Sequence, residues 1–283
     1  MQINRTGKTE VLKINHLEDM EYLTFPALDN TKIVTHLFST RLGGVSEGIF
    51  RSMNLSYTRG DKREAVSENF ARVARALGRN VEDFVCSDQT HTTNVRRVTA
   101  SDRGKGVVFE KDYADVDGLI TDEPGIVLAT FYADCVPLFF VDTVHKAIGL
   151  SHSGWRGTVN KIGAHTLEEM GKAYGTKTED VVAAIGPSIC RMCYEVSEDV
   201  AGEFAKAFEE KTLSDILFKK DKEKYRLDLW KANYHVLRQA GIKQQNISIT
   251  DICTCCNPEY LFSHRASRGK RGNLGAFLSL CPT

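Results

Sequence analysis

The chain has 283 residues of which 42% are hydrophobic, enough to bury a sizeable core, and its 37 Lys+Arg balance 37 Asp+Glu. Such a balance leaves no net field to draw the protein to nucleic acid or anionic lipid, so a polyanion partner is disfavoured. The opening Met1-Gln2-Ile3-Asn4-Arg5-Thr6-Gly7-Lys8 lacks the apolar centre of a signal peptide, and the longest apolar stretch, Ala129 to Val141, is broken by Asp134 and Pro137 well short of a membrane span.

A cytoplasmic protein without a membrane partner is therefore expected. Eight cysteines in such a setting read as thiols or metal ligands in preference to a disulfide framework.

In chain order, the first strand is expected at Ile33 to Phe38, and apolar residues at Val66, Phe70, Val73 and Leu77 before Gly78 predict a helix over about 62–77. Short runs rich in β-branched and aromatic residues predict strands at Phe84 to Cys86, Asn94 to Val98, Gly118 to Ile120 and Ile126 to Phe131. Leu138 to Val141 and Ala147 to Leu150 read as a hairpin around Asp142-Thr143-Val144-His145-Lys146. A helix from near Thr158 carries Val159, Ile162, Met170 and Tyr174 up to Gly175, and a strand follows at Val181 to Ile185. Two more helices carry Val200, Phe204 and Phe208 after the cap candidate Ser197, and Leu229, Ala232, Val236 and Ala240 before Gly241, with a last strand at Ile247 to Ile252. Runs such as Ile126-Val127-Leu128-Ala129 are apolar on both faces, so the sheets are covered on both sides. This mixed order favours an α+β fold with stacked sheets, and no composition shift divides residues 1–283, which read as a single domain.

Three segments put a metal-ligand type beside a strand end: Asp88-Gln89-Thr90-His91, Ala133-Asp134-Cys135-Val136-Pro137 and Ser151-His152-Ser153-Gly154-Trp155-Arg156-Gly157. Zinc accepts Cys sulfur and His nitrogen together, and three protein ligands with one open position form the catalytic arrangement. The ligands stand 44 and 17 residues apart, so spacing alone leaves each open to being an ordinary core or loop residue. The small-residue turn through Gly154 and Gly157 into a helix, with Arg156 beside it, suits an anion such as phosphate, although plain β-to-α turns look the same. Arg41, in the Gly-rich exit from the first strand, could grip an anion or lie at the surface.

Taken in order, Phe38 to Gly48, Asp88 to His91, Asp117-Gly118-Leu119-Ile120-Thr121, Ala133 to Pro137, Ser151 to Gly157, Ile185-Gly186-Pro187-Ser188-Ile189 with Tyr194-Glu195-Val196, and Cys253-Thr254 with Phe262-Ser263-His264-Arg265 resemble the YfiH/YlmD family, often labelled multicopper polyphenol oxidase or laccase domain. The resemblance runs from about 33 to 278. It implies a layered α/β/β/α sandwich with mixed sheets and a zinc held by His91, Cys135 and His152. It also implies phosphorolysis of purine nucleosides (adenosine, inosine, guanosine and methylthioadenosine) to base and ribose 1-phosphate, with adenosine deamination as a side activity. Near the end the chain departs from the family pattern, with Arg265-Ala266-Ser267-Arg268 and Gly272-Asn273 where many relatives carry Arg-Arg-Asp-Gly and a later Gly-Arg, which puts the role of that basic loop in doubt.

On this reading Asp134, Cys135 and His152 carry the chemistry, with Asp134 either a proton carrier or a carboxylate orienting His91 or His152. Arg41, Gln89, Ser151, Arg156, His264 and Arg265 are candidates for holding nucleoside and phosphate, and Trp155 either stacks on a purine or packs on the sheet. Other readings use the same residues differently. A copper-dependent polyphenol oxidase needs imidazoles in His-x-His pairs, and the eight histidines (16, 36, 91, 145, 152, 165, 235 and 264) are scattered, so copper is a doubtful cofactor. Cys135 with His152 or His91 could form a metal-free cysteine hydrolase. A non-catalytic zinc-stabilised binding module could use Cys190-x-x-Cys193 and Cys253-x-x-Cys256, with Cys255 between, although the 59-residue interval exceeds that of a zinc ribbon and buried free thiols explain the same residues.

Overall fold

The computed structural model describes residues 2–7 and 10–282. An N-terminal hairpin, β1 (Lys13–Leu17) and β2 (Met20–Thr24), leads through the single turn α1 (Pro26–Asp29) into β3 (Val34–Ser39). The predicted first long helix is α2 (Arg63–Leu77), which stops where Gly78 takes up a left-handed backbone at φ 64°. Then come β4 (Phe84–Cys86), β5 (Val95–Arg97), β6 (Gly118–Thr121), β7 (Val127–Tyr132) and the expected hairpin β8 (Val136–Asp142) with β9 (Ala147–Ser153). The helix expected from near Thr158 is two helices, α3 (Trp155–Val159) and α4 (Ile162–Tyr174), because Lys161 sits at φ 58° and interrupts the spiral.

Downstream lie β10 (Val181–Ile185), β11 (Glu195–Ser197), α5 (Glu198–Ala207), α6 (Glu210–Ile216), β12 (Leu217–Lys219), β13 (Lys224–Leu227), α7 (Leu229–Gln239), β14 (Ile247–Ile249), α8 (His264–Ser267) and β15 (Leu274–Leu280).

Two six-stranded mixed sheets, β1-β2-β3-β15-β7-β4 and β14-β10-β8-β9-β6-β5, form the body, and β11-β13-β12 make a small third sheet. Neighbours are antiparallel except for β4 beside β7, β5 beside β6 and β14 beside β10. The period of two along each strand explains the layering. Leu128 and Tyr132 of β7 join Phe139, Val141, Ile148 and Leu150 in a core between the sheets, whereas Val127 and Ala129 turn outward to a core with Val66, Phe70 and Val73 of α2. From the other sheet, Leu138 and Phe140 turn outward to meet Ile162 and Met170 of α4 and Val236 of α7. The result is the α/β/β/α sandwich that the family resemblance implies, and in it the apolar two-faced runs are covered on both sides.

Phe139 sits at the centre of the inner layer, fully buried and edge-on to Phe25 at 5.9 Å. Truncating it leaves a void that rigid sheets on both sides cannot close. Phe139→Ala is expected to lower the unfolding free energy by about 3–5 kcal/mol, measured as a shift of the urea midpoint at unchanged slope.

Candidate metal centre and its cavity

The two sheets deliver one ligand type each from three places at the same end of the sandwich. His91 lies in the loop after β4, Cys135 in the turn that carries the chain from β7 in one sheet to β8 in the other, and His152 near the end of β9, opposite Pro137. Their ligand atoms all lie within 4.8 Å of one another, with Cys135 Sγ 4.0 Å from His91 Nε2 and the two imidazole rings 5.0 Å apart, steeply inclined.

What fixes this cluster is Asp117, a fully buried carboxylate just before β6. It accepts from the backbone N–H groups of Thr90 (3.0 Å), His91 (3.2 Å) and Thr92 (2.9 Å) and from the Thr92 hydroxyl (3.1 Å). Its fifth donor is His152, whose Nδ1–H meets Oδ1 at 2.7 Å. The ring is thereby held with Nδ1 on Asp117, so that Nε2 is the nitrogen presented to a metal or a thiol. The same contacts hold His91 in a left-handed conformation, φ 68°, which a non-glycine residue adopts only when its surroundings enforce it.

Electrostatics follow from the packing. Burial pushes the Cys135 thiol up, but the charge on His152 and hydrogen bonds from both histidines outweigh it and bring it down to about 6. Burial pulls His152 down, and the Cys135 thiolate with the Asp117 hydrogen bond raises it to about 9. For Asp117, burial acts upward and loses to the His152 and backbone donors, leaving the carboxyl below its ordinary value.

The donor set fits a metal ion on a second count. A Cβ built on Gly154 would lie 2.8 Å from His91 Cδ2 and 3.2 Å from Cys135 Sγ, so the backbone here is held directly against the ligand side chains where any other residue would intrude.

A cavity of about 360 Å³ opens onto all three ligands. Tyr57, Phe70 and Phe131 form its apolar side, and Arg59, Lys111 and Arg271 supply cations. Lys111 is paired with Asp88. Arg271 is buried, bonds Asn273 Oδ1 and the Gly272 carbonyl, and leaves its Nε without a partner. Burial and the nearby Arg59 bring its pKa down to about 10. Among the described residues neither Arg59 nor Arg271 has a carboxylate within ion-pair distance, although the more distant Asp134 carboxylate and Cys135 partly offset the charge of Arg271. A smaller cleft of about 80 Å³ approaches the ligands from another side, bordered by Asp134, Trp155, Arg156 and Tyr194.

The other sequence candidates are dispersed. Arg41 lies outside the large cavity, spending its guanidinium on the carbonyls of Arg51 and Pro258 and packing over Phe262. Ser151 is also misplaced as a binding residue: it is fully buried and its hydroxyl meets Thr166 of α4, because its position on β9 turns it away from the cavity. Gln89 lines the cavity but clamps both backbone groups of Phe131. Arg156 borders the small cleft and stacks on Trp155. Arg265 reaches the carbonyls of Cys193 and Glu195. His264 is exposed at the start of α8, its pKa held down by burial and by Arg271. Asp134 does not orient either histidine; Asp117 does that for His152. Both Asp134 oxygens are engaged, Oδ1 by the Thr254 hydroxyl at 2.6 Å and Oδ2 by the Arg265 N–H at 2.7 Å.

Sequence reasoning missed Asp117, Arg59, Lys111 and Arg271. Asp117 stood inside a recognised motif, and Arg271 in the divergent basic loop, so each carried a signal of its own.

Residues 35–281 match the family described as multi-copper polyphenol oxidoreductase laccase. The chain belongs to that family. Relatives named purine nucleoside phosphorylase include YlmD of Bacillus subtilis, 35% identical over 89% of this chain and 90% of its own, and a Bacteroides thetaiotaomicron protein, 35% identical over 92% and 97%. The crystal structure of YlmD from Geobacillus stearothermophilus superposes with a TM-score of 0.88 at 32% identity, covering 97% of this chain and all of that one. A Bacillus licheniformis structure titled hypothetical protein YfiH gives 0.87 at 34% identity over 94% and 98%. The described residues contain two clusters of three or more metal-ligand types, and the His91, Cys135, His152 set is the one that holds histidine. No helix among them is long and apolar enough to cross a membrane.

Two outcomes test this geometry. Gly154→Ala, which removes no ligand, is expected to weaken metal affinity by about 10-fold or more through overpacking, measured by competition with a chromogenic chelator. Because a metal must displace the proton that the raised pKa keeps on His152, affinity should climb with pH up to about 9. It should fall more steeply below about 6, where Cys135 must also lose its proton. Titration calorimetry in buffers of different ionisation enthalpy reads this proton release directly.

Proposed function

We propose that the chain is a zinc-dependent purine nucleoside phosphorylase acting on adenosine, inosine, guanosine or methylthioadenosine, with adenosine deamination as a side activity. The observation that carries this reading is one cavity lined by the His-Cys-His set, by the aromatic rings of Tyr57, Phe70 and Phe131, and by Arg59 and Arg271, neither of which has an ion-pair partner among the described residues. The names of the relatives support the same reaction class.

Phosphorolysis forms a bond between a phosphate oxygen and the ribose C1′ and breaks the bond from C1′ to the base nitrogen. Arg271 and Arg59 are suited to hold the phosphate, since Arg271 presents a buried N–H with no partner and a planar donor fork matches a phosphate bidentately. Tyr57 and Phe70, stacked at 5.5 Å with near-parallel rings, make one apolar side of the space in which base and sugar are held away from water. His91, Cys135 and His152 would hold a metal ion, which would supply Lewis acidity at this end of the cavity. Zinc is the assignment because sulfur and imidazole together suit it, and the copper clusters of a laccase require more imidazoles than this centre has. Asp134 borders the small cleft beside Cys135, which makes it the carboxylate suited to carry the proton that deamination moves.

A second reading rests on a specific geometry: Cys135, His152 and Asp117 also make the nucleophile, base and orienting carboxylate of a metal-free thiol hydrolase. His91 argues against it, since a thiol hydrolase needs no second imidazole at 4.0 Å from the sulfur.

Incubating the pure protein with inosine or adenosine, with and without phosphate, separates the readings. Phosphate-dependent release of free base, lost in Cys135→Ala together with bound zinc, is expected. Turnover by metal-free protein that alkylation abolishes would establish the thiol hydrolase instead. Arg59→Ala, at an exposed position, is expected to raise KM for phosphate by about 10-fold, the worth of one charge-assisted hydrogen bond, with a smaller effect on kcat.

A further inference from the structure

Four cysteines outside this centre converge where the fold joins two distant turns. Cys190 and Cys193 lie in the turn after β10, Cys253 and Cys256 in the turn after β14, and a parallel bridge between Ser188 and Cys253 sets the turns side by side. The four sulfur atoms all lie within 4.8 Å of one another. Cys193 Sγ is 3.4 Å and Cys190 Sγ 3.9 Å from Cys256 Sγ, and all four cysteines are free. Four sulfurs at about 2.3 Å from one tetrahedral zinc stand about 3.8 Å apart.

Three further features suit a metal better than packed thiols. Each pair has the Cys-x-x-Cys spacing whose tight turn points both sulfurs the same way, seen here in the Cys193 N–H donating to the Cys190 carbonyl at 3.0 Å. The backbone N–H groups of Cys190 (3.2 Å) and Cys256 (3.4 Å) both donate to Cys253 Sγ, which favours a thiolate. Cys193 and Cys256 are only half-buried, so they meet other sulfurs while still partly open to solvent, unlike thiols serving as small core hydrophobes.

We propose that Cys190, Cys193, Cys253 and Cys256 form a closed structural site for one zinc ion. The site clamps the chain next to the metal centre described above. Ile189, one residue before Cys190, donates its N–H to the Asp134 carbonyl at 3.0 Å, and Thr254, one residue after Cys253, donates its hydroxyl to the Asp134 carboxylate. A metal in the four-sulfur site therefore holds the two segments that brace the turn carrying Cys135. The proposal does not depend on the reaction assigned to the neighbouring cavity.

The test uses the full chain with Cys135→Ala, which removes one ligand of the other centre and leaves the four sulfurs intact. After dialysis it is expected to retain about one zinc per chain, with four thiols that react with a mercurial only as zinc is released to a chromogenic chelator. Cobalt exchanged into the same protein should show the thiolate charge-transfer bands of a tetrahedral all-sulfur site. In the otherwise unaltered chain, Cys193→Ser with Cys256→Ser should remove one metal equivalent and keep the other. A folded Cys135→Ala protein that retains no metal, carries iron in place of zinc, or binds cobalt without thiolate bands overturns the proposal.

Discussion

The site hangs on one buried carboxylate. Removing an ionised Asp from water costs several kcal/mol, and Asp117 recovers that cost only because five donors converge on it. Four of those donors come from Thr90, His91 and Thr92, and the fifth is the His152 ring. The group therefore does two jobs with one desolvation: it folds a strained loop into a fixed shape, and it sets the orientation of an imidazole on the neighbouring strand. Backbone strain at His91, the orientation of the His152 ring and the thiolate character of Cys135 are all downstream of it.

Much of the architecture was legible because the chain's periodicities are clean. Runs apolar on both faces predicted covered sheets, and the alternation of Phe139 and Val141 inward with Leu138 and Phe140 outward shows why. The elements that escaped prediction include β1, β2, α1, β11, α6, β12, β13 and α8, which are short or only partly buried, and also β15, a fully buried strand between β3 and β7 whose Leu274-Gly275-Ala276-Phe277-Leu278-Ser279-Leu280 run is interrupted by small residues. The broken helix at Lys161 escaped because its apolar spacing continues across a single residue in a left-handed conformation.

The ligand types were legible at strand ends, where polar residues replace aliphatics, but their convergence was not, since it depends on how two sheets are stacked. Binding residues fared worse for the same reason. Arg41 and Ser151 look like site residues in a motif, yet a strand's alternation sends Ser151 under α4 and local carbonyls absorb Arg41. Arg59 lies in no motif and Arg271 only in the divergent basic loop, and their significance lies in lining the same cavity as the three ligands.

The crossover from β7 to β8 links these themes. Only Ala133, Asp134 and Cys135 separate the last residue of one sheet from the first of the other, and Asp134 makes the corner at φ 92°. Side chains on a strand alternate faces, so adding or deleting one residue here would turn every inward group of β8 outward and exchange the two apolar layers. It would also move the sulfur away from its partners. The length of this corner is thus fixed twice over, by oily packing and by ligand placement, and insertions that surface loops of the protein can absorb are closed to it.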